Sequence, residues 1–175
     1  MKLCFGVIFF LFLSVSMLSA LDSLANELPG KALLWDYNSL CEFKDSKNNP
    51  EEITYMKGKY TNTGCQELES KYGKPAAVII SLQNNKTTPL EIAIPTLSKV
   101  SIKRKDGTIH HAIALRKIDS VPGIGLMYGF LTTMTNSLKY QVSSGKKLDI
   151  IFIFDSVAKG DTITIGDYSP LTIGQ

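Results

Sequence analysis

Apolar and polar side chains alternate along much of the chain after Pro75, and this period of two predicts β-strands. In the run KLDIIFIF, every second residue from Leu148 to Phe154 is apolar, and the intervening residues after Ile150 are apolar as well. A strand that is apolar on both faces is typical of a central, doubly covered position. Further β runs are AAVIISLQNN at 76–85, PLEIAIP at 89–95, DTITIGD at 161–167 and PLTI at 170–173.

The pair Asp106-Gly107 is the strongest hairpin signal in the chain, because Asp-Gly favours the tight turn that joins two antiparallel strands. Val100 and Ile102 alternate with polar residues on the first arm. On the second arm one face is expected to carry Ile109, His111, Ile113 and Leu115.

The pattern from 26 to 75 is irregular and predicts a small N-terminal appendage with short helices. ALLWDY at 32–37 indicates an edge strand or strap anchored by Trp35, the only tryptophan. Asn49-Pro50 followed by two acids is typical of a helix start. Thr63 with Gln66 has capping-box spacing, and Gly73 is a natural helix end.

Strands separated by turns, with little helix between them, favour an antiparallel β-sandwich over a parallel α/β sheet. We therefore predict a mostly β fold in three parts: a signal peptide at 1–25, the appendage at 26–75 and the sandwich at 76–175.

The segments AAVIISLQNNKTTPLEIAI, SIKRKDGTIHHA and SSGKKLDIIFIFDSVAKGDTITIGD resemble the immunoglobulin-like domain of many bacterial lipoproteins and secreted proteins of unknown function. The late segment of that family is approximated here by Gly145, Phe152, Phe154, Val157, Lys159 and Gly160. Asp155-Ser156 stands where a proline is common, and the lipid-bearing cysteine is absent. The resemblance spans roughly 76–173 and implies an immunoglobulin-like sandwich in a non-catalytic, extracytoplasmic module.

The N-terminus has one lysine, an apolar run from Leu3 to about Leu18 and small residues afterwards, which is typical of a secretory signal peptide. Small residues at Ser23 and Ala25 favour cleavage after Ala25. An uncleaved anchor over 3–21 is an alternative, since an apolar span of this length can cross a bilayer. A lipoprotein signal would need a cysteine where Leu21 stands. Each alternative places the domain outside the cytoplasm.

Three cysteines are present, and Cys4 leaves with the signal peptide. Cys41 and Cys65 are then a single pair in an oxidising compartment, which predicts a disulfide. The alternative is two separate buried thiols.

The residues predict no catalytic, metal or cofactor site. His110 and His111 are neighbours on a strand, so they point to opposite faces and cannot readily chelate one ion. His111 is expected to be half-buried and His110 to face solvent or lie beside small alanines. No Gly-x-Ser-x-Gly elbow is present. The formal net charge of +3 is too small for a nucleic-acid-binding face.

The segment Ser120–Leu138 carries no charge, and its composition favours a long inter-strand connection that covers an open end of the core. Partner binding and membrane contact are the alternatives for it. The basic cluster Lys103-Arg104-Lys105 favours edge protection and solubility, and docking of an anionic lipid, a glycan or a partner protein is the alternative. A partner surface formed by the hairpin tip and this segment would comprise Lys103, Arg104, Lys105, Met127, Tyr128 and Phe130.

The sequence thus favours a secreted or periplasmic binding or structural module, with an unknown protein, a glycan or an envelope component as partner. An extracytoplasmic hydrolase or its accessory protein is the first alternative, and a membrane-tethered surface domain is the second. Asn85-Lys86-Thr87 is an acceptor for N-glycosylation if the secretory pathway is eukaryotic.

Overall fold

The computed structural model describes residues 27–42, 51–55, 58–118 and 130–174, and within these ranges the chain is mostly β. Two short helices, α1 (Tyr37–Glu42) and α2 (Cys65–Tyr72), and a 3₁₀ turn at Leu97–Lys99 accompany the strands. The strands are β1 (Gly30–Trp35), β2 (Glu51–Tyr55), β3 (Gly58–Thr63), β4 (Ala76–Gln83), β5 (Leu90–Ile94), β6 (Val100–Lys103), β7 (Ile109–His111), β8 (Ala114–Ile118), β9 (Phe130–Met134), β10 (Leu138–Val142), β11 (Lys147–Phe154), β12 (Thr162–Ile165) and β13 (Leu171–Gly174).

Within the described residues, eleven strands form one sheet in the order β2-β3-β9-β8-β11-β4-β1-β13-β12-β6-β7, and β10 pairs with β5 in a second sheet. All pairs are antiparallel except β1 with β13, which run parallel with Ala32 opposite Ile173. The purely antiparallel prediction is wrong at this pair, which joins residues from the two ends of the described chain.

Strand β11 is central, as its sequence predicts. It pairs with β4 along its whole length and with β8 on its other side. Phe152 on one face and Ile151 on the other are both fully buried, so each face is covered.

The large sheet curls, because the chain passes from β7, at one end of the strand order, to β8, near the middle, through only Ala112 and Ile113. Curling brings the two halves of the sheet face to face around the larger core. The β5–β10 pair closes this core with Ile92 and Ile94. Its other members include Val78, Ile80, Leu82, Val100, Ile102, Leu115, Leu148, Ile150, Phe152, Phe154, Ile163, Ile165 and Ile173.

The opposite face of β4 and β11 packs against the two helices. Leu40 of α1 and Leu68 of α2 are buried against Ile79, Ile151 and Ile153 in a second, smaller core. The predicted disulfide is confirmed, since Cys41 and Cys65 are bonded across a Cα–Cα distance of 5.9 Å. This bond ties α1 to α2 over the sheet.

The N-terminal part of the chain is more closely integrated than the predicted appendage. β1 lies between β4 and β13 instead of at an edge, and Trp35 is 44% exposed instead of anchoring the strand. Pairing with β3 makes Glu51–Tyr55 a strand, so the helix predicted to start at Asn49-Pro50 is wrong.

Helix α2 confirms one of the short helices expected in this region. Its N-cap is Gly64 rather than Thr63, and no side chain caps it. Gly73 ends the helix with a φ of 76°, as predicted. Helix α1 was not predicted. In the described residues no helix is long and apolar enough to span a bilayer, and residues 1–26, including the predicted signal, lie outside them.

Candidate functional site

A polar junction joins the β6–β7 turn (104–108) to the loop after β11 (155–161), and we call these two segments together the tip. The predicted hairpin is confirmed by the pairing of β6 with β7. The Arg104 N–H donates to the Thr108 carbonyl at 2.9 Å, and the Gly107 N–H donates to the Arg104 carbonyl at 3.0 Å. Gly107 has a φ of 89°, a conformation that a residue with a Cβ rarely adopts.

Asp106 fixes the shape of this turn. Its carboxylate accepts hydrogen bonds from the Thr108 hydroxyl and from the Thr108 N–H, the latter at 2.9 Å. The hydrogen bond from the Thr108 hydroxyl makes the largest contribution to lowering the pKa of Asp106 below its ordinary value. The bond from the Thr108 N–H and the nearby positive charge of Arg104 lower this pKa further. The turn therefore carries a fixed negative charge between Lys105 and the strand that follows.

Arg104 points toward the β11–β12 loop and joins the two halves of the tip. Its Nη1 donates to Ser156 Oγ at 3.1 Å, and its Nε lies 3.8 Å from Asp161 Oδ2. Asp161 is only 2% exposed, and its carboxylate accepts the Ala158 N–H at 2.8 Å. Of the three basic residues predicted as a partner surface, Arg104 is thus engaged inside the tip.

His110 makes the second connection across the tip. Its Nδ1 lies 2.8 Å from Asp155 Oδ1, with His110 23% and Asp155 50% exposed. His110 faces the same way as its cross-strand partner Ile102, which is fully buried, whereas His111 is exposed. The predicted faces of the two histidines are therefore wrong. The chain leaves β7 at Ala112, so the alternation does not continue unbroken to Leu115.

An exposed surface lies along this hairpin, on the face turned away from the core. Lys103 is directly opposite Ile109, so their side chains are neighbours on one face. Ile109 is 61% exposed and is the most exposed large hydrophobic residue in the described chain. His111 follows on the same face, and the exposed Lys105 lies beside Gly160 at the turn. We call Lys103, Lys105, Ile109 and His111 the edge surface.

Phe130, predicted as a partner-surface residue, is 1% exposed and belongs to the smaller core. Its ring stacks on Tyr37 with centroids 6.1 Å apart, and the Arg116 guanidinium lies 5.7 Å from its centroid. Its burial removes it from that surface. Met127 and Tyr128 lie outside the described residues.

Tyr37 anchors α1 in the same core. Its hydroxyl donates to the Cys65 carbonyl at 3.4 Å. Burial, with a smaller contribution from the negative charge of Glu69, raises the pKa of Tyr37 to about 12.

A second polar group, which the sequence did not predict, lies on the face of β4 and β11 that packs against the two helices. It lies on a part of this face beyond the helices. Ser81 Oγ donates to Asp149 Oδ1 at 2.6 Å, and Lys147 Nζ lies 3.2 Å from Asp149 Oδ2. Ser81 and Asp149 are cross-strand partners, a relationship visible only once the register is known. Because the serine hydroxyl is committed to a carboxylate that a lysine also neutralises, this group is suited to holding strands together.

The described residues contain no group of three or more His, Cys, Asp or Glu side chains able to hold a metal ion.

Ser156 is next to Asp155 in the chain, but its Oγ accepts a hydrogen bond from the Arg104 guanidinium. Donation from a cation makes a hydroxyl oxygen a weaker nucleophile, whereas an activated serine donates to a base. Asn85 is exposed in the loop between β4 and β5.

Comparison with protein-family models, with curated proteins and with solved structures found no match.

Proposed function

We propose that this protein is an extracytoplasmic, non-catalytic binding module that presents the edge surface to a partner. The partner is a protein, a glycan or an envelope component. In this proposal the domain keeps the immunoglobulin-like character that its sequence resembles, and the curled sheet is the scaffold for the tip.

The observation that carries the proposal is the exposure of Ile109 beside Lys103 on a firmly held hairpin. Single exposed aliphatic residues are common on protein surfaces. This one lies on the terminal strand of the sheet, and both sides of its hairpin are joined to the neighbouring loop by Arg104 and His110. A rigid, preorganised surface loses little conformational entropy on binding.

An extracytoplasmic location is supported by the signal-like N-terminus and by the Cys41–Cys65 disulfide. A domain tethered by residues 3–21 is the variant of this proposal in which the signal is retained. N-terminal sequencing of the exported protein separates the two, because a mature start at Leu21 or Asn26 excludes the tether.

The test is cross-linking capture from the native envelope or medium with the purified domain carrying a photo-reactive group at the exposed position 111 in every variant. A triple variant, Lys103→Ser with Lys105→Ser and Ile109→Thr, should lose the captured partner. The control variant, Lys86→Ser with Lys146→Ser, changes two exposed lysines at the opposite end of β11 and should retain it. Equal capture by both variants would contradict the proposal.

An extracytoplasmic hydrolase is the second candidate, and the His110–Asp155 contact is the observation that favours it. A histidine held by a carboxylate can serve as a general base if a nucleophile approaches its other nitrogen. Under our proposal, replacing both histidines with alanine should change no rate of hydrolysis. The readout is turnover rather than partner binding, because His111 belongs to the edge surface. Turnover that depends on His110 would establish the hydrolase instead.

A further inference from the structure

Strand β7 is the last strand in the order of the large sheet, where it pairs with β6 alone among the described strands. The Arg104 N–H bonds to the Thr108 carbonyl, and the Ala112 N–H bonds to the Val100 carbonyl, both at 2.9 Å. Hydrogen-bonded and non-hydrogen-bonded pairs alternate in an antiparallel ladder. This alternation directs the main-chain groups of His110 toward β6 and those of Ile109 and His111 away from the sheet.

We propose that an extended acidic peptide segment of a partner protein adds to β7 as a further strand of the sheet. This inference rests on the proposed function and identifies the kind of partner that the edge surface takes. The outward N–H and C=O groups of Ile109 and His111 match the alternating donors and acceptors of an extended main chain. An added strand exchanges four hydrogen bonds with these two residues.

The side chains at this edge indicate the composition of the added strand. A partner residue opposite Ile109 lies on the same face as Ile109 and Lys103, so a β-branched side chain there packs against an exposed aliphatic surface. Lys103 is exposed on this face, and Lys105 is exposed at the turn of the hairpin, beside Gly160. Their charges favour carboxylates in the added strand and disfavour a basic one.

Two other occupants fit the edge less well. The lysines can bind a lipid headgroup, but a headgroup has no row of alternating donors and acceptors that could pair with the main chain of β7. A second copy of this chain, paired through β7, would bring the exposed lysines of both copies to one junction, where their like charges repel each other.

The probe is the synthetic peptide acetyl-Glu-Thr-Val-Thr-Glu-Thr-amide, titrated into the ¹⁵N-labelled full domain and followed by NMR. When this peptide is extended, both of its glutamates share the face of its valine. The amide signals of Ile109 and His111 should shift on saturation, while the exposed Trp35 indole signal stays in place. The matched peptide with lysine in place of glutamate should bind at least about fivefold more weakly, because two exposed lysines repel it. Equal binding of the two peptides, or no shift of Ile109 and His111 at millimolar concentration, would overturn the proposal.

Main-chain pairing is tested separately from side-chain contact. N-methylation of alternate peptide amides should abolish binding in one of the two possible alternations and spare it in the other, since only every second N–H faces β7. Ile109→Pro removes an outward N–H and leaves the β6 ladder intact. It should bind at least about fivefold more weakly than Ile109→Ala, which loses the same side chain but keeps the N–H. Trp35→Ala is the control and should bind like the wild type, and circular dichroism verifies that each variant is folded.

Each alternative has its own signature. Strand addition would be overturned if the two N-methylated peptides bind equally well. It would also be overturned if the domain binds vesicles of anionic lipid and Ile109→Pro does not alter that binding. Concentration-dependent dimers that Ile109→Pro abolishes would overturn it as well. If any of these occurs while the triple variant still loses the cross-linked partner, only strand addition fails. If cross-linking is also insensitive to the triple variant, the proposed function fails.

Discussion

His110 and Asp155 lie 2.8 Å apart, from Nδ1 to Oδ1, and join the edge hairpin to the loop that follows β11. The two residues are 45 positions apart in the sequence. Their contact, together with the bonds of Arg104 to the same loop, holds the tip as one unit. The edge surface therefore projects from a supported structure.

We expect His110→Ala to lower the free energy of unfolding by less than about 1 kcal/mol, because partly exposed polar contacts between side chains contribute little. Urea denaturation measures this, with His111→Ala as the control for loss of an exposed ring. A loss of several kcal/mol specific to His110 would mean that the contact is a buried network and would contradict its placement at the surface.

Asp161→Ala should be more costly, since Asp161 is buried and accepts the Ala158 N–H. Removing the acceptor leaves a partly buried donor without its partner, which costs about 1–3 kcal/mol. Urea denaturation of this variant should show the loss, and Asp167→Ala, at an exposed position in the next turn, should not. Equal stability of both variants would show that the loop does not depend on this carboxylate.

Replacing both Cys41 and Cys65 with alanine should reduce the free energy of unfolding by about 3 kcal/mol, the value expected for a closed loop of this length. The helices should then separate more easily from the smaller core. Binding of a hydrophobic dye should increase under conditions where the wild type excludes it. Unchanged stability and dye binding would show that packing alone holds the helices.

Tyr37 predicts a specific loss of stability at alkaline pH. Its folded-state pKa of about 12 exceeds the ordinary value of 10.0, so the unfolded chain releases this proton first. The contribution is fully present below pH 10 and is lost as pH rises toward 12. Between pH 9 and 12, the midpoint temperature of thermal unfolding should fall more steeply for the wild type than for Tyr37→Phe. Parallel pH profiles would contradict the burial of the phenol.

Local patterns could predict those parts of the fold that depend on neighbouring residues. The doubly apolar run of β11, the turn at Asp106-Gly107 and the end of α2 at Gly73 each follow from short-range chemistry. The disulfide followed from the cysteine count and compartment alone.

Long-range pairing could not be predicted in this way. The parallel contact of Ala32 with Ile173 has no local signal. At 51–55, pairing with β3 outweighs the local helix-start signal at Asn49-Pro50.

The site was predicted in part for the same reason. A basic tip is visible in the sequence, but the inward direction of Arg104 depends on Ser156 and Asp161 from a distant loop. The burial of Phe130 depends on α1, a helix that no local signal predicted. Ile109 was assigned to an apolar face, and only the position of β7 at the end of the sheet shows that it is exposed.

Residue-resolved amide hydrogen exchange of the native protein tests the central claim, an open edge at β7, most directly. The N–H groups of Ile109 and His111 should exchange without measurable protection, while His110, directed toward β6, and Ile151, in the centre of the sheet, should be protected. Protection of Ile109 and His111 comparable to that of His110 would mean that the edge is already occupied within the protein, and the account would be contradicted.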